Sequence, residues 1–331
     1  MKPIKRILLP TDFSEGAEAA YSIAHKLALK FEAQIDIIHI APSIRYYVRF
    51  LETDREKEYT ELMISEAREK VAGAMSDFDE EVRGEYFVQT DRKPSDALME
   101  HLRKKPYDLV VMGSTGSHQT KMKRGGTTRH TIRRSPVPVL SVEKGMTIEG
   151  IKEILVPTDG SDLSFTAINK AAVFAEAFGA DITLLYVVVT NVGLAETAYY
   201  TPEQILDDDV YLNVMSRLTR FLKNREKGGI QLERKDKLFE DTLMVQADEE
   251  MRPIHLKTKI KTGFAAHYSI ESYAEKNSDL VVMATHGYGG FAHMFLGSVA
   301  EKVIQHIKKP VLTVRPSEAE FAKSKEKDFV N

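Results

Sequence analysis

The stretch DLVVMATHGYGGFAHMFLGSVAEKVI, Asp279 to Ile304, decides how this chain is read. Four apolar residues, Leu280 to Met283, run into a glycine-rich turn, and a Gly-Ser pair further on opens a segment of helical period. A buried strand followed by a loop and a helix is part of an alternating strand and helix fold, and ligands bind at such strand ends. A second stretch, DLVVMGSTGSHQTKMKRGGTTRHTI from Asp108 to Ile132, begins almost identically and then departs.

The likeness extends along the chain. IKRILLPTDFSEG from Ile4 lies over IKEILVPTDGSDL from Ile151 at an offset of 147 residues, and the match returns at VPVLSV and KPVLTV. The chain is a tandem duplication, and its 331 residues suffice for two ordinary cores. One domain is expected over 1–145 and a second over 150–316, joined by a linker, Glu143 to Gly150, and followed by a frayed, charged tail over 317–331.

Each copy alternates strand and helix. In the first, strands are expected at Ile7–Leu9, Ile35–Ile40, Tyr86–Val88, Leu109–Met112 and Val139–Val142, with helices over Ser14–Phe31, Thr53–Met75 and Pro94–Arg103. Strands separated by helices imply an open parallel sheet with helices on both faces. Pro157 to Met283 is about 24 residues longer than Pro10 to Met112, so the second copy carries an insertion, expected within about 190–250. Two helical segments, Pro202–Asn224 and Arg234–Ala247, are expected there, broken at Gly228-Gly229 and serving as a longer cover rather than a lid.

Composition excludes several classes. There is no cysteine, which removes disulfides, thiolate chemistry and cysteine-ligated metals. The formal charge of −3 argues against general nucleic-acid binding. Asp12 and Glu15 interrupt the start where a signal peptide needs an apolar core, and no apolar run approaches the roughly 20 residues of a membrane span, so a cytoplasmic protein is expected. The ten histidines show no metal-ligand spacing, and no nucleophile with a matched base is visible.

The residues at strand ends are Thr11 and Asp12, Ala41, and Gly113 to Gly116 in copy 1, and Thr158 and Asp159, Val187 to Val189, and Ala284 to Gly287 in copy 2. An aspartate facing a glycine turn that leads to a helix start can take the donors of a nucleoside, while the backbone amides take its phosphates. Each aspartate can equally serve as a helix cap. No G-x-x-x-x-G-K-[ST] string occurs, and GYGGFA, Gly287 to Ala292, follows the fourth strand where a dinucleotide fingerprint belongs after the first.

Both copies resemble the universal stress protein domain, whose ATP-binding members carry G-x-x-G, nine residues, then G-[ST] after strand four. In copy 2 this pattern falls on Ala284 to Gly287, nine residues from Tyr288 to Leu296, then Gly297-Ser298; VPTDGS and KPVLTV also look like that family. The resemblance implies two five-stranded sheets in the order 3-2-1-4-5, Rossmann-like and of the adenine nucleotide alpha hydrolase type. It implies ATP or another adenine nucleotide, with an accompanying magnesium ion, held by Pro157, Asp159, Val187, Met283, Ala284, Gly287, Gly297, Ser298 and Val299. In copy 1 the matching set is Pro10, Asp12, Ile40, Met112, Gly113, Gly116, Gly126 and Thr127. It further implies a stress sensor or regulator with a protein partner, an intramolecular pseudo-dimer through VLSV and VLTV, and a further homodimer.

The copies depart from the pattern in different ways. Copy 2 has Ala284 where glycine begins the motif, and copy 1 changes the loop to KMKRGGTTRHTIRR, with Lys121, Lys123, Arg124, Arg129, Arg133 and Arg134 and no acid from Leu109 to Val142. That stretch reads as a solvated basic face, a nucleotide-phosphate site or a site for another anion. For the whole chain the alternatives to a nucleotide-binding sensor are a nucleotide-free interaction protein and a weak nucleotide hydrolase.

Overall fold

The computed structural model describes residues 3–43, 53–91, 93–114, 126–190, 203–225, 229–287 and 296–322. Two compact units separate between Thr147 and Ile148, here the N unit and the C unit. Gly116, Lys121, Lys123, Arg124, the spacer from Tyr288 to Phe295 and residues 323–331 lie outside the described residues.

The N unit runs β1 (Arg6–Thr11), α1 (Glu15–Phe31), β2 (Gln34–Pro42), α2 (Thr53–Ser76), β3 (Arg83–Asp91), α3 (Pro94–Lys104), β4 (Leu109–Gly113), α4 (Gly126–Arg134) and β5 (Val139–Val142). Its strands pair in parallel in the order β3-β2-β1-β4-β5, as expected. The order reverses between β1 and β4, which opens a crevice at their carboxyl ends. Ile7, Leu8 and Leu9 are fully buried beside Val110 and Val111, which is why both strands read as unbroken apolar runs. Each such side chain contributes about 1.5–3 kcal/mol on burial.

The C unit runs β6 (Glu153–Thr158), α5 (Asp162–Phe178), β7 (Asp181–Val189), α6 (Glu203–Lys223), β8 (Ile230–Arg234), β9 (Glu240–Ala247), β10 (Glu250–Gly263), α7 (Ala266–Asn277), β11 (Leu280–Ala284), α8 (Ser298–His306) and β12 (Val311–Val314). Here β10-β7-β6-β11-β12 repeats the parallel order of the N unit, and β8 and β9 extend it antiparallel beyond β10. The sheet therefore has seven strands among the described residues, where five were expected.

The helix expected over Arg234–Ala247 is a correction. That stretch closes β8, turns through Phe239 at φ 67°, and forms β9. In β9 and β10 buried residues alternate with half-buried or exposed ones: Leu243, Val245 and Ala247, then Ile254, Leu256, Thr258 and Ile260. A period of two places one side of each strand in the core, and a helix would scatter it.

The expected insertion is also narrower than 190–250. Buried Ala67, Val71 and Met75 of α2 correspond, at the offset of 147, to buried Val214, Leu218 and Leu222 of α6. Helix α6 is thus the counterpart of α2, and the surplus residues begin after it, as the β8–β9 hairpin.

One shared motif residue has a structural task. Asp108 Oδ2 accepts from Lys5 N at 3.0 Å and Arg6 N at 3.1 Å, and Asp279 Oδ2 accepts from Lys152 N at 2.9 Å and Glu153 N at 3.1 Å. These aspartates hold the first and fourth strands of each unit in register at the ends away from the crevice. Among the described residues no helix is long and apolar enough to cross a membrane.

The first residues of the expected tail, 317–322, are a further correction. Residues Glu318 to Ala322 make a short helical segment, Phe321 is buried, and its ring meets His286 edge-on at 4.9 Å. Arg225 pairs with Glu320 beside it. An apolar anchor set among charges gives no periodic signal, which is why the segment reads as frayed.

Candidate functional site

At the carboxyl end of β6 the chain turns through Thr158, Asp159 and Gly160 into α5. Thr158 Oγ1 accepts from Gly160 N at 3.0 Å and lies 2.7 Å from Ser164 Oγ. The cap of α5 is Ser161, whose Oγ accepts from Ser164 N at 3.1 Å. Asp159 Oδ1 in turn accepts from Ser161 N at 3.0 Å and Ser161 Oγ at 2.6 Å. The aspartate holds the cap instead of being the cap, and its other oxygen, Oδ2, lies toward β11.

There it meets Gly287. A Cβ on Gly287 would stand 2.0 Å from Asp159 Oδ2, so only glycine lets the carboxylate lie against this turn. Thr285 and His286, between β11 and the turn, are buried and joined by a 2.9 Å hydrogen bond between Thr285 Oγ1 and His286 Nδ1. With Phe321 packed on its ring, His286 is a wall of the site.

The turn leads back to α8 at Gly297, whose N–H donates to Thr285 O at 2.9 Å. Gly297 is the cap residue of α8 and brings no side chain to the first-turn amides. Those amides carry the positive end of the helix dipole to the rim of a cavity.

That cavity measures about 560 Å³. Every candidate residue of the C unit lines it: Pro157 and Asp159 from β6 and its turn, Val187 from β7, Met283, Ala284 and Gly287 from β11 and its turn, and Gly297, Ser298 and Val299 from the cap and first turn of α8. Tyr186, Ala266 and Ile270 line it too and went unnoticed in the sequence. Tyr186 is signalled by its place beside Val187 at the end of β7, whereas α7 offers no motif.

The N unit repeats the turn. Ser14 caps α1 and Asp12 Oδ1 accepts from Ser14 N at 3.1 Å and Ser14 Oγ at 2.5 Å. Pro10 and Ile40 are half-buried at the ends of β1 and β2, Met112 is buried in β4, and Gly126 and Thr127 are exposed at the start of α4. Gly113 answers to packing: a Cβ there would stand 1.9 Å from Gly16 O of α1. The counterpart of Gly16 is Leu163, so the Gly113 and Ala284 difference accompanies a difference in helix packing. Part of the basic stretch is used within the unit, for Arg134 and His130 both lie against Asp96 of α3, at 3.6 Å and 3.3 Å.

The universal stress protein family model matches residues 3–143 and 150–315. The chain belongs to the universal stress protein family. A universal stress protein of Mycolicibacterium smegmatis is 26% identical over 94% of this chain and 97% of its own length. One from Methanocaldococcus jannaschii is 31% identical over 51% of this chain and 85% of its own. A crystal structure of a universal stress protein from Archaeoglobus fulgidus has the same fold, with a TM-score of 0.62 at 18% identity over 94% of this chain and 98% of that one.

Proposed function

We propose that the C unit of this universal stress protein binds an adenine nucleotide, ATP foremost, and that occupancy of the site lets the protein act as a sensor or regulator in a stress response. The observation that supports the reading is the fit of the Asp159 carboxylate against Gly287, across one cavity from the uncapped start of α8. In this reading Asp159 accepts hydrogen bonds from the nucleoside, and Pro157, Val187 and Met283 supply apolar contact to the base. The amides of Gly297, Ser298 and Val299 hold phosphate oxygens where the helix dipole favours negative charge. The set Pro10, Asp12, Ile40, Met112, Gly113, Gly116, Gly126 and Thr127 belongs to the reading as a second site.

Among the described residues no group of three or more histidine, aspartate or glutamate side chains is placed to hold a metal ion. The described residues thus offer no magnesium site of their own. The nucleotide acts by population shift, favouring the conformation that binds it for a protein partner to read.

The test is mass spectrometry of ligand released from denatured protein, with thermal unfolding in ATP. A ligand at a hundred times its Kd stabilises by about 2.7 kcal/mol, so the melting temperature rises with ATP and the rise is lost in Asp159→Ala. Protein that carries no nucleotide and shows no rise refutes the reading.

A further inference from the structure

Beside the first cavity lies a second, also about 560 Å³, that shares Asp159 and Tyr186 with it. Gly160 lies on one side of it, and α6 closes the other through Val210, Val214 and Arg217. The N unit has the same corner, and there the chain itself fills it.

Phe13, His39 and Lys70 correspond to Gly160, Tyr186 and Arg217 at the offset of 147. Strand register confirms the correspondence, since His39 pairs with Thr11 and Tyr186 with Thr158. The turns also share a left-handed backbone, with φ 58° at Phe13 and 79° at Gly160. From its turn the Phe13 ring lies on the His39 imidazole, with centroids 4.6 Å apart, and Lys70 Nζ stands 5.9 Å from the centre of the phenyl ring. Burial above all holds the His39 pKa below its ordinary value, which keeps the imidazole neutral as a stacking surface.

In the C unit the ring is deleted and both neighbours are kept. Tyr186 presents a larger aromatic face than His39, and a guanidinium stacks on rings better than an ammonium does. Arg217 Nε donates to Asn213 Oδ1 at 2.8 Å, which fixes the guanidinium on α6. A Cβ on Gly160 would meet Tyr186 Cε2 at 3.6 Å and Arg217 Cδ at 3.9 Å, ordinary contact distances, so a group leaving this turn passes between the two. Phe13 shows what that space accepts.

We propose that the second cavity of the C unit is a slot for a planar heteroaromatic ring, held between Tyr186 and Arg217 as Phe13 is held between His39 and Lys70. The ring has two sources, a separate small molecule or the second base of a dinucleotide whose first base lies in the neighbouring cavity. Only the second source rests on the proposed nucleotide reading.

The chain has no tryptophan, so Tyr186→Trp places a single fluorescent reporter on the slot. The probes are adenine, ATP and diadenosine tetraphosphate. Adenine or the dinucleotide is expected to quench Trp fluorescence in this variant, and adding Gly160→Phe or Arg217→Ala weakens that quenching at least tenfold. Gly160→Phe fills the slot from within, and Arg217→Ala tests it without changing the turn. Diadenosine tetraphosphate binding at least tenfold tighter than ATP, with the gain lost in Gly160→Phe, assigns the ring to a dinucleotide. Quenching by adenine without that gain assigns it to a separate molecule. If no probe quenches at millimolar concentration, or if both added substitutions leave quenching unchanged, the slot is refuted. Quenching by adenine that depends on Gly160, in a protein whose melting temperature ignores ATP, upholds the slot and refutes the nucleotide site.

Discussion

Tyr211 donates its hydroxyl proton to Asp241 across 2.8 Å, with both side chains closed to solvent, and so fastens α6 to the β8–β9 hairpin. Asp241 Oδ1 also accepts from Arg234 Nε at 3.0 Å and from Lys235 N at 3.2 Å. Removing the acid strands a hydroxyl and a guanidinium, and breaking a buried pair from one side costs about 3–5 kcal/mol. Asp241→Ala is expected to lose stability near the lower end, because Arg234 is partly exposed. Tyr211→Phe is expected to lose about 1 kcal/mol. Urea unfolding measures both; a loss below about 1 kcal/mol for Asp241→Ala would show that packing alone holds the hairpin.

Gly287→Ala tests the mouth of the first cavity. The added methyl would overlap Asp159 Oδ2, so the carboxylate must swing away and loosen the Ser161 cap it holds. Loss of such capping costs about 1 kcal/mol, or roughly 2–4 °C in melting temperature for a unit of this size. Nucleotide affinity is expected to fall at least tenfold. Unchanged ATP-dependent stabilisation in this variant would show that Asp159 does not need its place against the turn.

Phe321 is expected to matter although it lies near the end of the chain. It is buried edge-on against His286, and Phe to Ala changes in such places cost about 3–5 kcal/mol. A segment this short recovers part of that by undocking, so about 2 kcal/mol is expected for Phe321→Ala. Faster hydrogen exchange at Thr285 and His286 should accompany it. If exchange there does not change, the segment packs without supporting the site.

Much of the fold was legible because β1, β4 and their counterparts are buried on both faces and read as unbroken apolar runs. The duplication then carried each assignment from one copy to the other. The β8–β9 hairpin was missed because charged LERKDKLFED hides its alternation, although PIHLKTKIKT from Pro253 shows a clean period of two that signals a strand paired on both sides. Strand-end residues of the C unit were legible from position along the sheet: Thr158, Asp159, Val187 and Ala284 to Gly287 line one cavity, whereas Val188 and Val189 do not. The Phe13 and Gly160 exchange was visible as a sequence difference, but its meaning needed the ring of His39 and the reach of Lys70. Those contacts join residues from three separate elements, which no local pattern records.

Acid should destabilise the N unit well before its carboxylates titrate. Burial, the largest cause, lowers the pKa of His39 and of His101, and His101 also lies near Lys105. His101 Nε2 lies 2.9 Å from the Tyr107 hydroxyl, which donates to buried Asp36 at 2.9 Å, so the imidazole sits inside a closed network. As pH falls through about 6.5, the ordinary histidine value, the unfolded chain takes up protons that the folded N unit refuses. Stability is therefore complete above about 6.5, declines as pH falls below it, and levels off once pH passes the lowered folded values. A histidine fully inside this window contributes about 1.4 kcal/mol per pH unit. Denaturant unfolding between pH 7.5 and 5.5 should show the decline, and His101→Gln should flatten it while lowering stability at pH 7.5. A stability flat across this range in the unaltered protein would mean that these histidines are protonated as readily folded as unfolded.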